Sequence, residues 1–302
     1  MIKSKEYDVI IIGGSYAGLS AAMSLGRSLR NVLIIDSGLP CNRQTPHSHN
    51  FITQDGETPA AIAAKAREQV LAYKTVSFIN GTAVNATKNE KGFVVINGDG
   101  QQFESKKLVL ATGIKDNMPK VKGFEECWGI SVVHCPYCHG YELRDRKTAI
   151  MAKGEKAFHL ASLVNNLTND ITLLSSGKHE LKEEQIARLQ RRNIQIIDTD
   201  VSAIDHNDGY VKSVVFADQS RMPFDAVYAA VPFTQHSGIP ATLGCAFTEQ
   251  GHISVDASCR TTVSGVFACG DNSGMMRSVA NAVYTGNLTG AVINKEFTDE
   301  SF

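Results

Sequence analysis

The sequence predicts an α/β fold built on two nucleotide-binding units of Rossmann-like, three-layer type. Three observations carry that expectation. A fully apolar run, Val9-Ile10-Ile11-Ile12, leads directly into Gly13-Gly14-Ser15-Tyr16-Ala17-Gly18 and then into a helical pattern. The same strand–turn–helix–strand layout returns after Thr148. Between the two copies lies a close cysteine pair, Cys135 and Cys138.

Val9–Ile12 reads as a central parallel strand, because strands buried on both faces are apolar throughout. Leu19, Ala22, Met23 and Leu25 then mark a helix face. Val32-Leu33-Ile34-Ile35 closes the βαβ unit and ends in Asp36, 23 residues after Gly13. A glycine turn lets backbone N–H groups approach a pyrophosphate at the helix start, and an acid at that distance hydrogen-bonds the adenosine ribose. Ser15 replaces the middle glycine of the G-x-G-x-x-G pattern. Its Cβ crowds the phosphate approach, although its hydroxyl can bond a phosphate oxygen.

Residues 41–55, with Arg43, His47, His49 and Asn50, read as a solvated polar loop. Pro59 opens a helix through about Ala72, a position where proline is tolerated. Val76 to Val95 alternates and holds the turn signals Asn80-Gly81 and Lys91-Gly92, so a small antiparallel insert is expected. Leu108-Val109-Leu110 is a buried strand ending in the small-residue turn Ala111-Thr112-Gly113. In the second βαβ unit, Ala152 to Ser175 repeats the 23-residue offset. Ala152 stands where the first glycine belongs, and the closing strand ends in Ser175-Ser176-Gly177. That pattern predicts the architecture and leaves open whether the second unit binds a nucleotide. A helix over Glu180–Arg192 follows, with Arg188, Arg191 and Arg192 on a solvated face. Strands are expected around Ile194–Ile197, Val211–Phe216 and Val227–Val231, and a linker over Pro232–Pro240. A strand ending in Gly270-Asp271 precedes a long helix from about Arg277 to Lys295, and Asp271 reads as its cap.

A length of 302 residues makes two domains the natural expectation. A net charge of −1 argues against nucleic-acid or membrane-surface binding, which need clustered basic charge. No apolar run approaches the roughly 20 residues of a membrane-spanning helix. The charged segment Met1–Asp8 lacks a signal-peptide layout, so a cytoplasmic protein is expected. The seven cysteines are scattered; in that compartment a close pair points to catalysis or metal binding.

The segment His134-Cys135-Pro136-Tyr137-Cys138-His139-Gly140 has four readings: a redox dithiol, half of a zinc site, a C-x-x-C-H haem attachment, or the Cys-Pro-Tyr-Cys core that glutaredoxins carry.

The order of nucleotide loop, Ala111-Thr112-Gly113, Cys-x-x-Cys between two βαβ units, second loop and Gly265-Val266-Phe267-Ala268-Cys269-Gly270-Asp271 resembles the low-molecular-weight thioredoxin reductases over nearly the whole chain. The resemblance implies a discontinuous FAD domain, 1–116 with 242–302. Inserted into it is a pyridine-nucleotide-like domain, 117–241, that carries the cysteine pair. It also implies a homodimer. Gly13, Gly14, Ser15, Ala17 and Gly18 would hold the FAD pyrophosphate, and Asp36 the ribose. Asp271 would sit near the flavin and ribitol, and Asn50 on a flavin loop. Arg43, Ala111, Thr112, Gly113, Gly270, Ser278 and Val279 complete the implied cofactor set. Cys138 would face the flavin and Cys135 would exchange with substrate, a small dithiol or disulfide or a thioredoxin-like protein.

Two departures bear on the electron partner. The family holds NADPH on an intact glycine loop and grips its 2′-phosphate with a His-Arg-Arg run. Ala152-Lys153-Gly154 and Ser175-Ser176-Gly177 occupy those places, which removes the charge-assisted bonds and makes NAD(P)H use doubtful. A cysteine pair followed by His139, where the family carries Asp, is similar to the thioredoxin-reductase-like branch that includes fungal epidithiol oxidases, which use FAD and oxygen.

Haem attachment lacks an exported context, zinc lacks four convergent ligands, and the glutaredoxin reading lacks its fold. A redox dithiol remains, beside a structural disulfide or two inert thiols. In the redox reading Cys135 attacks, Cys138 resolves, and His139, with an ordinary pKa near 6.5, moves the thiol proton. The expected function is an FAD-dependent dithiol/disulfide oxidoreductase. The alternatives are an oxygen-dependent dithiol oxidase and a flavin redox sensor without turnover.

Overall fold

The computed structural model describes residues 6–302. The chain divides into two compact units. The first comprises the chain up to Arg43, Pro59–Lys115 and Phe233–Phe302; the second comprises Gln44–Thr58 and Asp116–Pro232. Apart from a one-residue shift at 115/116, these limits differ from the expected ones in two places. The loop 44–58 joins the second unit, and the chain re-enters the first unit at Phe233 rather than 242.

The first unit is organised on one sheet. Its spatial order is Val76–Asn80, Val32–Asp36, Glu6–Ile12, Gln102–Leu110, Gly92–Asn97, Ala83–Asn89, with Val266–Ala268 also paired to Gln102–Leu110. Registers such as Ile11↔Ile34, Ile11↔Val109 and Val109↔Phe267 are parallel. These central strands are buried on both faces, as their unbroken apolar runs require. The expected antiparallel insert is smaller than its span suggested. Val76–Asn80 pairs in parallel with Val32–Asp36, because the helix Pro59–Leu71 supplies the crossover that parallel pairing needs. Only the strands from Ala83 to Leu110 form an antiparallel meander.

Helix Tyr16–Arg27 packs on the C-terminal helix Val279–Ser301. A side chain at Gly286 would bring Cβ to 2.1 Å from the Ala17 carbonyl oxygen, so glycine permits the approach. The Ser20 hydroxyl donates to the Val283 carbonyl at 2.7 Å. This last helix continues past Lys295 because buried Lys107 needs partners; Glu296 and Glu300 supply carboxylates at 2.5 and 2.7 Å. The stretch expected as a linker holds a strand, Phe233–Gln235, and a short helix, Ile239–Thr242. Gln235 Nε2 donates to the carbonyls of Gly251 and Asn272, which ties it to the first unit.

The second unit has a five-stranded parallel sheet in the order Gln195–Ile197, Ile171–Leu174, Thr148–Met151, Ala226–Ala229, Val132–Val133. Helices Gly154–Val164 and Glu183–Arg191 accompany it. An antiparallel sheet of Val201–Asn207, Tyr210–Phe216 and Arg221–Pro223 follows. Its first hairpin turns at Asp208-Gly209, both in left-handed conformation, a turn signal present in the sequence.

Candidate active site

In the first unit the expected nucleotide residues converge at the ends of the parallel strands. The Gly13 N–H donates to the Ile35 carbonyl at 2.9 Å. At Gly18 an added Cβ would fall 1.8 Å from the Gly13 carbonyl oxygen, so the helix can start this close to its strand only with glycine there. Ser15 is the extended N-cap of Tyr16–Arg27 and makes no side-chain cap bond, and the first turn holds no acid. The positive end of that helix is thus left for an anion. Asp36 accepts from the Gly14 N–H at 2.8 Å and from the Gly38 N–H at 3.1 Å, which fixes its carboxylate at the rim of the loop.

Ala111 is buried, and Gly113, at φ +65°, has open space where a side chain would stand. The Gly270 N–H donates to the Thr285 hydroxyl. Asp271 lies 3.7 Å from Cys41 Sγ and 3.8 Å from Arg277 Nε. It does not cap the last helix: Ser278 does, accepting from the Asn281 N–H at 3.1 Å, and Val279 opens that helix. Arg43 is exposed and donates to the Pro40 carbonyl. Asn50 belongs to the 44–58 segment, which groups with the second unit. Its backbone N–H donates to Asp55 at 2.7 Å.

Sequence reasoning missed Asn272 and Gln235. Asn272 is fully buried, and its Nδ2 donates to the Leu110 carbonyl and the Thr112 hydroxyl. Its Oδ1 has no hydrogen-bond partner, nor has the buried Oε1 of Gln235. The position directly after Gly270-Asp271 was the available signal for Asn272.

In the second unit, Cys135 is the extended N-cap of a single helical turn, Pro136–His139. Pro136 occupies the first helical position, where its missing N–H costs nothing. The N–H groups of Cys138 and His139 both point back to the Cys135 carbonyl, at 3.2 and 3.3 Å. The two cysteines therefore bracket one turn, and both are half-buried. Tyr137 faces outward at 64% exposure. The His134 ring stacks on Trp128 with centroids 5.9 Å apart, a packing role.

His139 is different. Both ring nitrogens are buried without a hydrogen-bond partner. Burial pushes its pKa down, offset in part by the nearby Cys135 carbonyl and the Glu142 carboxylate and reinforced by His49. The ring is thus held neutral at neutral pH, with a lone pair ready to take a proton. Glu142 and His49 were also missed. His49 Nδ1 lies 3.6 Å from Glu142 and 3.7 Å from Asp55. Far from being fully solvated, the 44–58 loop is closed by backbone bonds between Ser48 and both Gly56 and Glu57. Glu142 sits one turn after His139, a spacing that could have flagged it.

A profile of the pyridine nucleotide-disulphide oxidoreductase family matches residues 7–286. The chain belongs to this family. It is 32% identical to thioredoxin reductase tcpT of Claviceps purpurea, over 98% of this chain and 96% of that protein. Among solved structures it is similar to an oxidoreductase from Agrobacterium tumefaciens, with 36% identity, a TM-score of 0.91, and coverage of 97% of this chain and 99% of that one. It is also similar to a putative thioredoxin reductase, TrxB, from Bacillus anthracis, with 29% identity, a TM-score of 0.93, and coverage of 98% and 100%.

As a member of the pyridine nucleotide-disulphide oxidoreductase family, the protein is an FAD-dependent disulfide oxidoreductase resembling thioredoxin reductase. The first unit's residues fit FAD. The uncapped, acid-free helix start suits a pyrophosphate, and the orphaned Asn272 and Gln235 oxygens can accept from donors on the cofactor. The second glycine-loop position contrasts with the first. Helix Gly154–Val164 carries Glu155 in its first turn, and Lys182, at 2.8 Å, holds that carboxyl below its ordinary range. The buried Ser175 hydroxyl is turned inward, within bonding distance of the Gly177 and Ile197 carbonyls and Asp198. Among the described residues, no helix is long and apolar enough to cross a membrane.

Proposed function

We propose that Cys135 and Cys138 are the redox pair of this flavoenzyme, with His139 as the base that removes the thiol proton. The observation that carries this reading is the buried His139 ring beside the pair, with neither nitrogen engaged. Bound FAD supplies an acceptor or donor for two electrons. Oxidising a substrate dithiol releases two protons and two electrons. A substrate thiolate, its proton taken by His139, attacks Cys135 of the oxidised pair and displaces the Cys138 thiolate. The second substrate thiolate then displaces Cys135, leaving a substrate disulfide and the reduced pair. The same steps in reverse, with Cys138 displacing the substrate sulfur, reduce a disulfide. Glu142 and His49 extend the route by which that proton reaches solvent. The substrate is a small dithiol or disulfide or a thioredoxin-like protein, and the enzyme works as a cytoplasmic homodimer.

A second reading concerns the electron partner. An acid at the start of the second helix and an inward-turned Ser175 oppose a 2′-phosphate, which supports a dithiol oxidase using oxygen in place of an NADPH-fed reductase. Anaerobic mixing with NADH, NADPH, dithiothreitol or reduced thioredoxin, followed by flavin absorbance, separates these. Bleaching by dithiols with peroxide formed on admitting air favours the oxidase, and fast bleaching by NADPH refutes it. Cys138→Ser should abolish bleaching by dithiols while FAD stays bound. A single bleaching event without repeated turnover would point to a sensor.

A further inference from the structure

Tyr228 has no part in the chemistry above, yet its placement calls for an explanation. It lies on the fully buried strand Ala226–Ala229, is 1% exposed, and packs in an apolar cluster with Val133, Ile150, Leu160 and Ala161. Its hydroxyl is buried with no hydrogen-bond partner. Such an orphan is destabilising, and phenylalanine would fill the same volume without that cost.

The strand register shows what the hydroxyl is near. Tyr228 pairs in parallel with Val133, two residues before Cys135. After burial, the charges of Cys135 and Glu142 are what raise the phenol's pKa, so both groups lie within its electrostatic reach. The phenol therefore keeps its proton and remains a donor over the working pH range. The other ionisable groups around this turn are Cys138 and His139 on the short helix, and His49 and Asp55 on the 44–58 segment. Glu142 disfavours further negative charge here. A neutral donor is the group that can offset it without adding a competing base.

We propose that the Tyr228 hydroxyl is the hydrogen-bond donor to Cys135 in its thiolate form, which makes Tyr228 a positioning residue for the attacking sulfur. The proposal rests on the reading of Cys135 as the substrate-facing thiol. The hydroxyl is orphaned until that thiolate forms, and its bond stabilises the reduced pair selectively.

The test uses full-length, FAD-loaded Tyr228→Phe, reduced with dithiothreitol and freed of it. Iodoacetamide alkylation of Cys135 is followed from pH 5 to 10 by peptide mass. The expected result is a thiolate fraction at neutral pH lowered about tenfold, one unit in the alkylation midpoint. The dithiol/disulfide equilibrium against glutathione should move about tenfold towards disulfide, about 30 mV. An unchanged alkylation profile with a raised melting temperature overturns the proposal, because it marks the hydroxyl as merely buried. If Tyr228→Phe does not fold, 3-fluorotyrosine at position 228 keeps the shape and donates more strongly. It should lower the midpoint, and no change overturns the proposal equally. Alkylated wild-type enzyme separates the two ideas: if dithiols still bleach its flavin, the assignment of Cys135 fails whatever the pH profile shows.

Discussion

His139→Leu separates catalysis from stability. The native ring keeps two buried nitrogens without partners, and each unsatisfied polar group costs about 1–3 kcal/mol. Leucine has similar bulk and nothing to satisfy, so the variant should melt no lower than the wild type and up to several degrees higher. Losing a positioned general base costs about 10²- to 10⁴-fold in rate, or about 3–5 kcal/mol of barrier. Stopped-flow bleaching of the flavin by dithiothreitol reads the rate, and a thermal melt of the same FAD-loaded sample reads stability. The expected pattern is a rate lower by at least two orders of magnitude at equal or greater stability. A rate within threefold of wild type refutes the base assignment. A melting temperature lower by several degrees refutes the premise that the ring is unpaired, because it would mean the nitrogens hold structure together.

Gly18→Ala should empty the FAD site, because its Cβ would sit 1.8 Å from the Gly13 carbonyl oxygen, whereas Gly238→Ala, with nothing within 4 Å, should retain full flavin absorbance per chain. Equal occupancy in both variants would remove the role given to the first loop. Acid should destabilise the protein below about pH 6.5. Burial holds His139 below its ordinary pKa, and burial with Arg277 does the same for His252, so in that range the unfolded chain binds protons that the folded one refuses. Stability from this source is complete above pH 6.5 and falls as the pH drops towards the folded values; urea midpoints at pH 7.5 and 5.5 check the sign. His49→Ala should slow dithiol oxidation by about tenfold while leaving FAD content unchanged, and identical pH–rate profiles would exclude His49 from the proton route.

Much of this molecule could be read from local sequence because its central strands are apolar on both faces. Val9–Ile12, Val32–Ile35 and Ile171–Leu174 declare themselves, and the glycine turn after Ile12 dictates the helix that follows. Val76–Asn80 was misplaced because a half-buried strand alternates whether it pairs in parallel or antiparallel; the helix before it decides, and only tertiary pairing shows that. The site divides the same way. The cysteines and His139 announce their chemistry by type and spacing. Asn272, Gln235 and Tyr228 do not, because their significance is an atom left unpaired after everything around them has packed. His49 was hidden for another reason, since nothing in a polar loop tells which compact unit it will join.

The membership of that loop also limits how this protein can be recombined. A chimera cut before 116 and after 232 would carry the cysteine pair, His139, Glu142 and Tyr228 into a new host but leave His49 and Asp55 behind. The transplanted pair would then draw its loop partners from the recipient. Among relatives, residues 44–58 and the cysteine turn should therefore be inherited as one piece of design, although 76 residues separate Thr58 from Cys135 along the chain.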